Sequence, residues 1–321
     1  MINDILLPLF TGLCLFLFGM KIMELALHNW AGSHLKSILE RFTRTPLRGM
    51  VTGTALTAFL QSSSAITVIT IGMVNARIMT FPRTLGIILG TNIGTCITTE
   101  LIGLNISHLA FPMLIVSFIV WMISWFFKEQ QQEKTIFMNT VLMLRYLSLA
   151  IIGFSCVLLG VEIMQVMVPA LQSRGMFTWF LEQSQQSLLW GIIAGTCITA
   201  IIQSSSAMVA ITMGLITLDT FSLELGIAII VGANIGTCVT SMIASIGGSK
   251  SGQFVAWSHV ILNVGGAILF YPLLSLLASI STSISSNPSE QIAHAQTIYN
   301  VVCSIIALPL CYMSFIKRLK N

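Results

Sequence analysis

The tetrad Gln61-Ser62-Ser63-Ser64 occurs a second time as Gln203-Ser204-Ser205-Ser206, 142 positions later. Each copy sits in a segment otherwise apolar enough for lipid, GTALTAFLQSSSA at 53–65 and GTCITAIIQSSSA at 195–207. An amide and three hydroxyls in succession put donors and acceptors at a single point. An unwound tip in lipid leaves backbone N–H and C=O groups that protein, water or ligand must satisfy. Where a helix restarts after the break, at Ala65 and Ala207, its first amides favour an anion. Two such tips would suit a tetrahedral oxyanion.

The same offset carries Gly90, Asn92, Ile93, Gly94, Thr95 and Cys96 onto Gly232, Asn234, Ile235, Gly236, Thr237 and Cys238. These Gly-x-Asn-x-Gly-Thr segments read as helix interruptions rich in neutral oxygen, and amide, hydroxyl and freed backbone oxygens are hard ligands suited to Na⁺. Neither motif region contains Lys or Arg, so co-bound cations and helix dipoles must offset the charge of an anion. That is a physical motive for coupling. Packing is the competing explanation, since small residues bring membrane helices together and serines bond back to their own helix. Two copies of both motifs weigh against it. His259 with Asn263, and Gln296 with Asn300, are i, i+4 pairs that line the site or bond across the bundle with equal merit. Glu100, Glu162 and His108 read as interfacial residues.

The elements that must position these residues follow from composition. Hydrophobic residues make up 55% of the 321 and charged residues 8%, with a mean hydropathy of +0.91, so the chain is expected to be an all-α polytopic membrane protein. No basic stretch precedes the first apolar segment, which is therefore expected to remain as a helix of the mature protein. Cys14, Cys96, Cys156, Cys197, Cys238, Cys303 and Cys311 all fall in apolar segments and read as core thiols.

Apolar runs near 5–27, 82–103, 108–127, 137–168, 223–246, 254–280 and 292–316 are long enough to span, giving seven candidates. The stretches 47–76 and 188–218 are broken at the serine runs and read either as long helices or as re-entrant hairpins. Loop charge decides. With the N-terminus outside and both stretches folded back, Lys36, Arg41, Arg44, Arg48, Arg77, Arg83, Lys128, Lys134, Arg145, Lys250, Lys317, Arg318 and Lys320 all reach the cytoplasmic side. Lys21 then sits at the inner end of the first helix, and the C-terminus is cytoplasmic. Three spans separate the hairpins, so the second enters from the opposite face. The expected organisation is a first repeat at 1–135, an inverted repeat at 136–280, and a C-terminal helix with a short basic tail at 281–321. Inverted repeats with interrupted helices are the construction of secondary transporters.

Gln-Ser-Ser-Ser-Ala twice, Gly-x-Asn-Ile-Gly-Thr twice and SHVILNVGGAILFYP at 258–272 resemble the type II sodium-phosphate cotransporter family, whose signature is a duplicated Gln-Ser-Ser-Ser motif. The likeness covers both repeats and most of the chain. It implies sodium-coupled transport of inorganic phosphate across the cell membrane, with phosphate contacts at Gln61, Ser62, Ser63, Ser64, Gln203, Ser204, Ser205 and Ser206. Asn92, Thr95, Asn234 and Thr237 become sodium-site candidates, joined by Thr57 and Thr199. His259, Asn263, Gln296 and Asn300 stay as candidate lining residues. The first half departs from strict symmetry: it has His108 but no counterpart of the second half's His-x-x-x-Asn. No long hydrophilic domain follows residue 321, as expected of a short bacterial form.

The expected partners are inorganic phosphate, the lipid bilayer and Na⁺ as coupling ion, with no other cofactor and no nucleic acid; a homodimer is left open. A transporter or channel for another small anion, such as sulfate or a carboxylate, accounts for everything but the resemblance. An intramembrane hydrolase built on Ser206 and His259 is disfavoured. A duplicated nucleophile has no chemical purpose, and no Gly-x-Ser-x-Gly elbow is present.

Overall fold

The structure is a computed structural model that describes residues 2–31, 35–104, 106–127 and 136–313. Lys128, Lys134, Lys317, Arg318 and Lys320, used above in the charge argument, lie outside the described residues. The first half comprises α1 (Leu7–Ala31), α2 (Leu35–Phe42), α3 (Pro46–Leu60), α4 (Ser63–Asn75), α5 (Phe81–Gly103) and α6 (Ala110–Trp125). Next come α7 (Ile136–Gln165), α8 (Val168–Gln172), α9 (Gly175–Gln186), α10 (Leu189–Ile202), α11 (Ser205–Thr217) and α12 (Leu223–Gly236). The chain continues through α13 (Cys238–Ser245), α14 (Lys250–Phe270), α15 (Leu274–Ile284) and α16 (Pro288–Ala307).

Among the described residues, seven helical segments are long and apolar enough to cross a membrane: Asn3–Trp30, Phe81–Gly103, Ser107–Trp125, Thr140–Gln172, Leu223–Ser245, Lys250–Ile284 and Pro288–Tyr312. The protein is an all-α polytopic membrane protein. Its outer surface is apolar, with Phe10 at 72% and Ile201 at 82% exposure, as lipid rather than water requires. Cys14 and Cys197 belong to this surface and not to the core expected of them, whereas Cys96, Cys156, Cys238 and Cys311 are buried.

The pairs α3/α4 and α10/α11 are helical hairpins, and glycine contacts show why. A Cβ on Gly86 would lie 2.0 Å from the Pro46 carbonyl oxygen, one on Gly90 2.2 Å from that of Met50, and one on Gly94 2.7 Å from that of Thr54. Contact positions rise together along the two helices, so α3 and α5 run parallel. A single continuous helix through 46–75 would deliver the chain to the far end and make them antiparallel. Instead α4 returns the chain, and Arg83 at the start of α5 donates to the Thr43 carbonyl, at 3.3 Å, just before α3. The second half repeats the arrangement. A Cβ on Gly232 would lie 2.1 Å from the Ile192 carbonyl oxygen, and one on Gly236 2.6 Å from that of Thr196. Only glycine permits backbones this close, and tight packing is the main force between helices in lipid.

These contacts correct one expectation: Gly90 to Thr95 do not interrupt a helix, because α5 runs unbroken from Phe81 to Gly103. The glycines serve close approach to α3. In the second half the chain does break once, where α12 ends at Gly236 and Thr237 caps it before α13.

The two hairpins open at opposite ends of the bundle. At one end, the Leu47 N–H donates to the Tyr312 hydroxyl at 3.2 Å, and Asn75 Oδ1 accepts from the Ser249 N–H at 3.0 Å. At the other, the Thr217 and Ser289 hydroxyls pair at 2.9 Å, Gln172 donates to Thr220 at 3.3 Å, and the Ser187 and Tyr271 hydroxyls pair at 3.3 Å. Helix α5 connects the two ends, since Gly103 packs on Ala293 of α16.

Candidate functional site

Each serine run divides its labour in the same way. Gln61 ends α3 in the left-handed conformation (φ 56°, ψ 28°) and Gln203 ends α10 likewise (φ 57°, ψ 27°). That conformation costs a residue other than glycine about 1–2 kcal/mol, so an interaction elsewhere must hold it. Ser62 and Ser204 are extended (φ −147° and −140°), and their hydroxyls accept the N–H of Ala65 and Ala207, capping α4 and α11. Both caps measure 3.2 Å. Ser63, Ser64, Ser205 and Ser206 then open the new helices. Their hydroxyls make no hydrogen bond among the described residues, in a first turn whose backbone amides point toward the break.

Both tips line one cavity of about 240 Å³. Gln61 to Ser64 form one wall and Gln203 to Ser206 another. Thr95 and Thr98 of α5 and Thr237 complete these walls. Thr98 donates to Gln61 Oε1 at 2.6 Å, and Gln61 Nε2 donates back to the Ala58 carbonyl, which fixes the first tip. The second tip lacks this tie: Gln203 is exposed, and Thr240, the equivalent of Thr98, is half-buried with its hydroxyl shielded and unpartnered among the described residues. The Thr95 hydroxyl bonds the Thr91 carbonyl at 2.9 Å and the Thr237 hydroxyl that of Asn234 at 2.8 Å, so both are held in place at the wall.

Other sequence candidates lie off the cavity. Thr57 and Thr199 are 1% and 0% exposed with unpartnered hydroxyls; they pack beneath the tips, where a Cβ on Gly94 or Gly236 would lie 2.6 Å from theirs. Asn92 donates to Asn263 Oδ1 at 2.9 Å, and Asn234 to the Ile230 carbonyl at 3.3 Å. His259 Nδ1 pairs with Ser241 at 2.7 Å, Asn263 donates to Cys238 Sγ at 3.1 Å, and Asn300 to Cys96 Sγ at 3.3 Å. Gln296 is 1% exposed with neither amide atom partnered. These side chains form a buried polar layer that ties α5, α13, α14 and α16 together. Glu100, read as interfacial, also joins helices: it accepts from Thr297 at 2.5 Å and meets His294 at 3.0 Å.

Three polar or charged lining residues escaped sequence reasoning. Thr98 stands beyond the duplicated Gly-x-Asn-Ile-Gly-Thr segment, and its signal was its own recurrence at Thr240. Lys21 and Glu24 lie on α1, outside both duplicated motifs, and also line the cavity. They carry charge to a site that the motifs alone make neutral.

The sequence profile of the Na⁺/Pi-cotransporter family matches residues 15–166 and again 156–285, one match for each half. A Bacillus subtilis protein of uncharacterised function, YqeW, is 32% identical over 94% of this chain and 93% of its own length. YjbB of Escherichia coli K12, provisionally named for inorganic phosphate export, is 25% identical over 95% of this chain, which spans only 53% of that protein. The rabbit sodium-dependent phosphate transport protein 2A is 31% identical over 101 residues, 30% of this chain and 15% of its own. No solved structure matches significantly. The chain belongs to the Na⁺/Pi-cotransporter family.

Proposed function

We propose that this protein is a sodium-coupled secondary transporter of inorganic phosphate, not an enzyme, and that the cavity between the two serine runs is its phosphate site. The observation that carries the reading is the convergence of both Gln-Ser-Ser-Ser tips on one small cavity. Four unpaired serine hydroxyls and two helix N-termini facing one volume are suited to a tetrahedral oxyanion. A cavity of about 240 Å³ fits a small hydrated ion, against roughly 300–1,000 Å³ for drug-sized ligands. Gln61, Gln203, Thr95 and Thr237 supply neutral oxygens to a coupling Na⁺ at the same walls. Family membership and relatives named for phosphate transport support the substrate.

The reading includes two inverted repeats, with the N-terminus outside and the C-terminus cytoplasmic. Hairpins opening at opposite ends of the bundle support it, as do Arg44, Arg48, Arg77, Arg83 and Lys250 gathered at the end where the first hairpin opens. Asp219, Glu224 and Glu290 gather at the other. By the positive-inside rule the basic end is cytoplasmic.

The test is phosphate uptake by purified full-length protein in proteoliposomes. The expected result is uptake that requires an inward Na⁺ gradient, with a pH effect that follows the phosphate monoanion-dianion change. Uptake that ignores Na⁺ and follows a proton gradient overturns the coupling. Counterflow of labelled sulfate without counterflow of phosphate overturns the substrate.

A further inference from the structure

The cavity has a third wall that neither duplicated motif supplies. Leu17, Met20, Lys21 and Glu24 line it at the i, i+3, i+4, i+7 spacing of a single helix face, so one stripe of α1 looks onto both tips. Lys21 Nζ lies 3.2 Å from Glu24 Oε2. Lys21 stands nine residues before Trp30, where its span ends, which is about 14 Å along the helix. That places both charges within an apolar segment, toward its C-terminal end, with the Lys21 side chain 59% and that of Glu24 25% exposed. Ionised side chains at such depth are costly unless they face a partner, a ligand or a water-filled cavity. Here they face one another and the cavity.

The other walls offer hydroxyls, amides and helix dipoles, each dipole equivalent to about half an elementary charge. A phosphate dianion is under-compensated by these alone, and Lys21 is the one cation among the lining residues. We propose that Lys21 is the fixed counter-charge for the transported anion, and that Glu24 positions it and competes with the anion for the same ammonium. This deepens the phosphate reading and rests on it. Gly12 and Gly19 of α1 pack on Gly160 and Gly153 of α7, which matches the two helices at an offset of 141, so Lys21 and Glu24 correspond to Glu162 and Gln165 and the cation belongs to the first half alone. The transport site is therefore electrostatically lopsided although its serine tips are duplicated.

The experiment is counterflow of labelled phosphate, and of labelled sulfate in parallel, by the full chain in proteoliposomes. Lys21→Gln should raise the apparent KM for phosphate at least tenfold, whereas Lys21→Arg should stay within about threefold of wild type. Glu24→Gln removes the competitor and should lower KM. Lys21→Cys should behave as Lys21→Gln until aminoethyl methanethiosulfonate restores the ammonium; the neutral methyl reagent should restore nothing, and phosphate should protect the thiol. A Lys21→Gln KM within twofold of wild type, or equal rescue by the neutral reagent, overturns the proposal and leaves Lys21 as an interfacial anchor. A wild-type chain that carries sulfate but not phosphate, with the Lys21 dependence intact, overturns the substrate reading and upholds the counter-charge. A wild-type chain that carries neither anion overturns both.

Discussion

Ser205→Ala removes a hydroxyl that lines the cavity and makes no hydrogen bond among the described residues, while Ser204→Ala, one residue earlier, removes the cap of α11. The two changes are chemically identical and should have opposite signatures. Losing the cap, a 3.2 Å bond to the Ala207 N–H, costs about 1 kcal/mol of stability. Its effect should appear as a lower thermal midpoint in detergent. Losing the Ser205 hydroxyl forfeits a hydrogen bond to a charged phosphate, worth about 1.5–3 kcal/mol. At 1.4 kcal/mol per factor of ten, apparent KM should rise about tenfold to a hundredfold with the melting midpoint unchanged. Ser63→Ala against Ser62→Ala should reproduce the contrast in the first half, where the cap is again 3.2 Å. Since Ser63 and Ser205 face one cavity, the double replacement should depart from the sum of the singles, as contacts to a shared ligand do. The assay is initial-rate counterflow at varied phosphate, with thermal unfolding on the same preparations. Changes below about threefold in KM for both Ser63→Ala and Ser205→Ala, or strict additivity, would refute the shared-site argument and return the serine runs to helix packing.

Proximity gives a second check: Ser63→Cys with Ser205→Cys in one chain should cross-link with a short bifunctional reagent, and phosphate should slow the reaction. Topology gives a third, because Thr45→Cys and Ile78→Cys flank the first hairpin and should label from the same face of the membrane; labelling from opposite faces would sink the hairpin topology. The glycine contacts give a fourth. Gly232→Val would drive a Cβ to 2.1 Å from the Ile192 carbonyl oxygen, so it should abolish recovery of folded protein in size-exclusion chromatography. Gly72→Ala, with nothing within 4 Å, should be tolerated, and folded yield is again the measure.

Much of the architecture was legible because lipid leaves the chain few options. Long apolar runs must be helices, and a duplicated Gln-Ser-Ser-Ser inside two of them announced a break in the same place twice. The hairpins at 47–76 and 188–218 were therefore expected nearly as they are found, at Pro46–Asn75 and Leu189–Thr217. Charge in the flanking loops distinguished hairpin from span before any contact was seen. What the sequence hid was the use of each small residue. Gly90 and Gly94 carry the same composition whether they break a helix or let another lie against it, and only the approach of Met50 and Thr54 shows the second use. Thr57 and Thr199 looked like ligands, yet they lie under the tips because a helix turns its residues by about 100° each and only part of the face meets the cavity. Lys21 and Glu24 belong to neither duplicated motif, so neither motif could place them across from the serines. Bringing α1 against two hairpins formed from residues up to 185 positions further along is a property of the packed bundle, and it alone decides which charges face the site.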